Sequence, residues 1–189
     1  NIGKDTMPLS NDYVFVSGLY RSGTTLVSRL LNGDNSFVSS SDPIRPFFNA
    51  YSNFIRSRLG QHCNAFAPFT DGFADTPEYY KHLHICSFSE YLPPSLCHAI
   101  LQQVVRQSKP YSPLFSHYVS ENLAGQKFLQ WAELLLALLE SVSNAYSATP
   151  RQSVAFKEVW ALEMSLPLIN LFRDRIKIVA VVRDPADIA

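Results

Sequence analysis

A surplus of charge of either sign is missing from this sequence, whose 16 lysines and arginines are matched by 16 aspartates and glutamates. No basic field is left to draw in nucleic acid, heparin or an anionic membrane, so any anion site has to be local. Cysteine is scarce as well. Cys63, Cys86 and Cys97 are an odd number with no C-x-x-C spacing, which argues against a disulfide framework and suits buried thiols in a reducing compartment. No apolar run of signal-peptide type opens the chain, and the most apolar stretch, Trp131 to Val142, carries Glu133 and Glu140, so nothing here reads as a bilayer span.

What is present is material for a core: 189 residues, 47% hydrophobic and 13% aromatic, enough for one globular domain over residues 1–189. The chain is organised around residues 13–31. Tyr13 to Ser17 reads as a short buried strand, Gly18 and Gly23 bound a loop, and Leu26, Val27, Leu30 and Leu31 follow at helical spacing. Backbone N–H groups of such a loop and of the helix start form a concave donor site that favours phosphate or sulfate. The glycine spacing is that of a Walker A loop, but Thr24 stands where the lysine belongs, and Arg21 supplies a cation inside the loop instead. The alternative is a tight strand-to-helix turn whose hydroxyls cap a helix.

Two segments carry a resemblance. Gly18-Leu19-Tyr20-Arg21-Ser22-Gly23-Thr24-Thr25-Leu26 resembles the 5′-phosphosulfate loop of sulfotransferases that use 3′-phosphoadenosine 5′-phosphosulfate (PAPS), in the RSGTT form of the bacterial, carbohydrate and tyrosylprotein branches. Lys177 to Ala189, a buried strand running into Arg183-Asp184-Pro185-Ala186-Asp187, is similar to the same family's 3′-phosphate motif. The resemblance implies a P-loop-like three-layer α/β fold with a central parallel sheet, and PAPS as co-substrate with no metal. Arg21, Ser22, Gly23, Thr24, Thr25 and Leu26 would hold the phosphosulfate and Arg183 the 3′-phosphate, while Asp184 and Asp187 read as turn and first-turn acids. It also implies that the family's later segments lie beyond the end of this chain. The acceptor would be a small molecule, lipid or carbohydrate, and the compartment cytoplasmic, or the Golgi lumen for an excised domain.

Asp42 lies where the tyrosylprotein and carbohydrate branches place a glutamate, often before proline, as the base that deprotonates the acceptor. Asp42-Pro43-Ile44 resembles that element with aspartate for glutamate. On its own chemistry Asp42 reads equally well as the cap of a helix starting at Pro43. Lys157, at the end of a strand from Ser153, resembles the family's lysine-x-proline element with Val159 for proline. It either stabilises charge on the transferring group or is a solvated turn lysine paired with Glu158. His82, His84 and Cys86 would share a face if extended, imitating a metal site, and either histidine is the fallback base.

The rest is read more coarsely. The stretch between Gly33 and Ser41 reads as a Ser-rich turn, and residues 43–120 as an irregular, largely helical insertion whose aromatic rings either wall an acceptor pocket or fill the core. Its best helix is Ser95 to Gln107, capped by Ser95. Further helices are expected over residues 125–147 and 160–172, with a last strand over Ile176 to Val182. Strands alternating with helices indicate a parallel sheet with ligands beyond the strands' carboxyl ends, where Arg21, Lys157 and Arg183 all stand. Competing readings are a nucleotide-dependent kinase or NTPase with a degenerate loop, and a non-catalytic nucleotide-binding domain.

Overall fold

The computed structural model describes residues 12–18, 22–61, 64–67, 76–146, 153–159 and 161–182. Its centre is a four-stranded, all-parallel sheet in the order β2-β3-β1-β4, formed by β1 (Tyr13–Gly18), β2 (Phe37–Ser41), β3 (Ser153–Lys157) and β4 (Ile176–Val181). Seven α-helices accompany it among the described residues: α1 (Thr24–Asn32), α2 (Arg45–Arg58), α3 (Pro77–Ile85), α4 (Pro94–Ser108), α5 (Pro113–Asn122), α6 (Trp131–Tyr146) and α7 (Ser165–Phe172). The α/β class expected from strand and helix alternation is therefore the observed one.

Side-chain alternation along the strands divides the layers. Val14, Val16 and Ala155 face α1, meeting Val27 and Leu31. Tyr13, Phe15, Val154, Phe156 and Ile176 point the other way into the main core, built with α2 to α7. Most of the aromatic richness of the middle segment is spent there. Phe47, Tyr51, Phe88 and Trp131 are fully buried and interlocked, with Tyr51 4.3 Å from Phe88 and 5.1 Å from Trp131 between ring centroids. Each such ring contributes about 2–3 kcal/mol through burial, so these rings are core and not pocket wall.

Several boundaries differ from the sequence reading, each for a local reason. The Ser-rich stretch is a strand: Phe37–Ser41 pairs with β3 from Phe37↔Ser153 to Ser41↔Lys157. Its serines are accommodated by side-chain bonds, Ser39 with Ser28 and Ser40 with Ser112, each at 3.0 Å. The helix expected from residue 125 begins at Trp131, where the Glu133 carboxylate accepts the N–H groups of Leu129 and Gln130 at 2.7 and 3.2 Å. Ser95 does not cap α4, which starts one residue earlier on Pro94. The helix expected from residue 160 is a short 3-10 turn, Leu162–Met164, followed by α7. In α1 the expected apolar stripe splits: Val27 and Leu31 pack on the sheet, whereas Leu26 and Leu30 are 63% and 67% exposed.

The parallel register sets Ser41, Lys157, Gly18 and Val181 along one rim of the sheet, at the strands' carboxyl ends. β1 is central, with the chain crossing through α1 to one side and β4 added on the other. In open parallel sheets that arrangement leaves a crevice at the carboxyl ends, where ligands bind.

Candidate functional site

Gly18 and Gly23, at the two ends of the glycine loop, are constrained in different ways. A Cβ on Gly18 would stand 2.4 Å from the Val181 carbonyl oxygen and 2.7 Å from Ser22 Oγ, so the end of β1 can approach β4 only as glycine. Gly23, the residue before α1, has φ +101°, a left-handed conformation that favours glycine. From there the chain enters α1 with Thr24 buried, Thr25 exposed and no acidic residue in the first turn. This is a helix start to which an anion is electrostatically welcome.

A cavity of about 560 Å³ opens in front of that helix start. Gly23, Thr24 and Thr25 line one side, and Asp42, Lys157 and Val159 its floor at the sheet rim. Arg45 comes from the first turn of α2, and Arg106, Gln107, Pro110 and Tyr111 from the end of α4 and the turn after it. Gly23, Thr24, Thr25, Asp42 and Lys157 are thus brought together as the sequence suggested. Leu26 stands outside the lining, its N–H donating to the Gly23 carbonyl at 2.9 Å, and Ser22 Oγ is buried with no hydrogen-bond partner. Arg21, Arg183, Asp184, Asp187 and Cys63 lie outside the described residues.

Asp42 and Lys157 form the core of the site. Lys157 is 4% exposed, and its Nζ donates to Asp42 Oδ2 at 2.5 Å. Asp42 Oδ1 accepts the Val159 N–H at 3.2 Å, Ser41 Oγ reaches Oδ2 at 3.3 Å, and the Asp42 N–H donates to the Lys157 carbonyl at 2.6 Å. Among the described residues the carboxylate retains an unfilled acceptor position on Oδ1, and its side chain, which lines the cavity, is 27% exposed. Two alternatives from the sequence are overturned by this geometry. Asp42 caps no helix, because α2 starts at Arg45 after Ile44 and the Asp42 carboxylate is committed to β3. Lys157 is no solvated turn lysine, and Glu158 is not its partner.

Glu158 is instead fully buried. Its Oε1 accepts the Ile44 N–H at 2.6 Å, its carbonyl accepts from Ser17 Oγ at 2.7 Å, and its N–H donates to the Val16 carbonyl at 3.0 Å. Its Oε2 has no partner. Burial, reinforced by the negative charge of Asp42, pushes its carboxyl well above the usual range, against the Ile44 N–H, Arg45 and Lys157, which favour the ion. Through Oε1 the carboxyl staples the Asp42–Ile44 turn to the strand end. Its role was not legible in the sequence, since a glutamate after a strand lysine reads as solvent-exposed.

The histidine alternatives do not reach the site. His82, Leu83, His84 and Ile85 are helical in α3, not extended, and both histidines are exposed on a helix that packs against α2 and α7. Neither lines the cavity, and among the described residues no group of three His, Cys, Asp or Glu is placed to hold a metal. Cys86 and Cys97 are buried thiols, and burial pushes Cys86 up to about 11. No helix among the described residues is long and apolar enough to cross a membrane. No protein-family model matches this chain, and no curated protein matches it significantly.

Proposed function

We propose that this protein transfers the sulfuryl group of PAPS to a hydroxyl or amine of an acceptor. The observation that carries the reading is the Asp42–Lys157 pair lining the same cavity as Gly23, Thr24 and Thr25. A group bound at the start of α1 therefore lies in one chamber with a cation and a carboxylate, the two things that in-line sulfuryl transfer asks of a protein. Gly23, Thr24 and Thr25 at the start of α1 would hold the phosphosulfate, with Arg21 and Arg183 as the cations the sequence assigns to its two ends.

In the reaction the acceptor oxygen attacks sulfur as the bond from sulfur to the phosphate oxygen breaks. The acceptor proton passes to Asp42, and adenosine 3′,5′-bisphosphate leaves. Lys157 has three N–H donors and spends one on Asp42, so the same ammonium can meet charge on the transferring group. Calorimetry with adenosine 3′,5′-bisphosphate against ATP, with and without magnesium, tests the reading. Magnesium-independent preference for the bisphosphate, lost in Arg183→Ala, is expected; preference for magnesium ATP would replace it with the kinase reading.

A further inference from the structure

Arg45 and Arg106 have no place in the scheme so far, and both line the cavity. Among the described residues neither has a carboxylate partner. They come from elements far apart in the chain, the first turn of α2 and the last of α4, and the fold brings both to one chamber. Among the described residues that line the chamber, three are cations, Arg45, Arg106 and Lys157, and one is a carboxylate, Asp42, which Lys157 already pairs. A chain with no net charge has thus set two arginines, neither of them in an ion pair among the described residues, along one cavity.

Guanidinium groups lining a chamber are forks for planar or tetrahedral oxyanions. The wall that carries Arg106 also carries Tyr111, an exposed ring, and lies apart from Gly23 and Thr24 in both sequence and secondary structure. Resting on the sulfuryl-transfer reading, we propose that the acceptor is itself anionic: a hydroxyl compound bearing a carboxylate, sulfate or phosphate ester. Arg45 and Arg106 bind that group while the reacting hydroxyl meets Asp42. Tyr111 offers a face to an aromatic or sugar ring between the two ends. The arginines orient and select the acceptor, and the Asp42–Lys157 pair does the chemistry.

The test uses two probes of nearly equal shape, 4-hydroxyphenylacetate and its neutral amide, titrated into the chain with and without saturating adenosine 3′,5′-bisphosphate. The carboxylate is expected to bind at least about tenfold more tightly than the amide, as charge-assisted hydrogen bonds require. Arg45→Gln and Arg106→Gln should each erase most of that preference while changing bisphosphate affinity less than about twofold, and Arg106→Lys should restore part of it. Arg106 is exposed, so its replacement leaves the fold intact. Equal binding of the two probes, or no binding of either, overturns the proposal. So does displacement of the carboxylate by the bisphosphate, which would make the arginines part of the nucleotide site. If the bisphosphate fails to bind while the arginine-dependent preference persists, the anion site stands and the sulfuryl-transfer reading alone falls.

Discussion

Asp42 and Lys157 are joined twice, backbone to backbone at 2.6 Å and carboxylate to ammonium at 2.5 Å, so the turn after β2 and the end of β3 behave as one rigid piece. The double tie gives an asymmetry that mutation can expose. Lys157 is almost wholly buried, whereas Asp42 retains a side open to the cavity. Asp42→Asn leaves a buried ammonium facing a neutral oxygen and is expected to cost about 3 kcal/mol. Lys157→Met leaves a carboxylate that water can still reach and should cost less. Denaturant unfolding of the two variants reads the order, and both should lose turnover of any acceptor. Reversal of the stability order would mean that Asp42, not Lys157, is the charge the fold shelters.

Glu158 gives a pH prediction with a definite sign. Its folded-state affinity for a proton is raised above the ordinary carboxyl value of 4.5, first by burial and then by Asp42. Its contribution to stability is complete below about that pH and declines as pH rises toward the folded-state value. Asp42, Arg45 and Lys157 are the charges that act on it. Glu158→Gln removes the titration while keeping an oxygen for the Ile44 N–H. Melting temperature measured from pH 4 to 9, on the order of one point per unit, should therefore fall less steeply with pH in the variant than in the parent. A parallel pair of curves would show that Glu158 is ionised in the folded protein.

The glycine loop is expected to be intolerant in two different ways. Gly18→Ala drives a methyl into the Val181 carbonyl oxygen and should cost about 1–3 kcal/mol through overpacking. Gly23→Ala meets no such obstacle but must hold φ +101°, a strain of about 1–2 kcal/mol that falls on the helix start. Thermal unfolding measures both costs, and calorimetric binding of adenosine 3′,5′-bisphosphate should weaken in each. Wild-type affinity in Gly23→Ala would remove the loop from the nucleotide site.

The exposed leucines of α1 should be replaceable. Leu30→Lys is expected to change stability by no more than about 0.5 kcal/mol, because its side chain points to solvent while Val27 and Leu31 hold the helix to the sheet. Val27→Asp, by contrast, should unfold α1 from β1. Far-ultraviolet circular dichroism during denaturation distinguishes the two outcomes.

How far the sequence carries can be argued from individual residues. Tyr13 to Gly18 and Ser153 to Lys157 were legible because buried parallel strands read as continuous β-branched and aromatic runs. Lys157 was legible because it closes such a run and resembles the family's lysine-x-proline element. β2 was hidden by its three serines, which have little strand preference and depend on Ser28 and Ser112, side chains from other elements, for their bonds. Glu158, Arg45 and Arg106 were hidden for the same reason at longer range. The significance of Glu158 lies in the Ile44 N–H, 114 residues away in the chain, and that of the arginines in the cavity to which the fold brings them, and no local pattern encodes either. The histidines misled because His82 to Cys86 alternates, which gathers them on one face only if the stretch is extended, whereas Pro77 opens a helix that runs through Ile85.

Asp42 sits at φ 51°, a left-handed conformation that aspartate, asparagine and glycine tolerate far better than longer acids. The backbone, therefore, selects the short carboxylate, and lengthening it would mean rebuilding the turn, the tie to Lys157 and the staple from Glu158 together. The wall that carries Arg106 and Tyr111 is under no such constraint. Over many generations, the reacting pair would stay as it is while that wall drifts, so related chains could diverge in what they accept without inventing new chemistry.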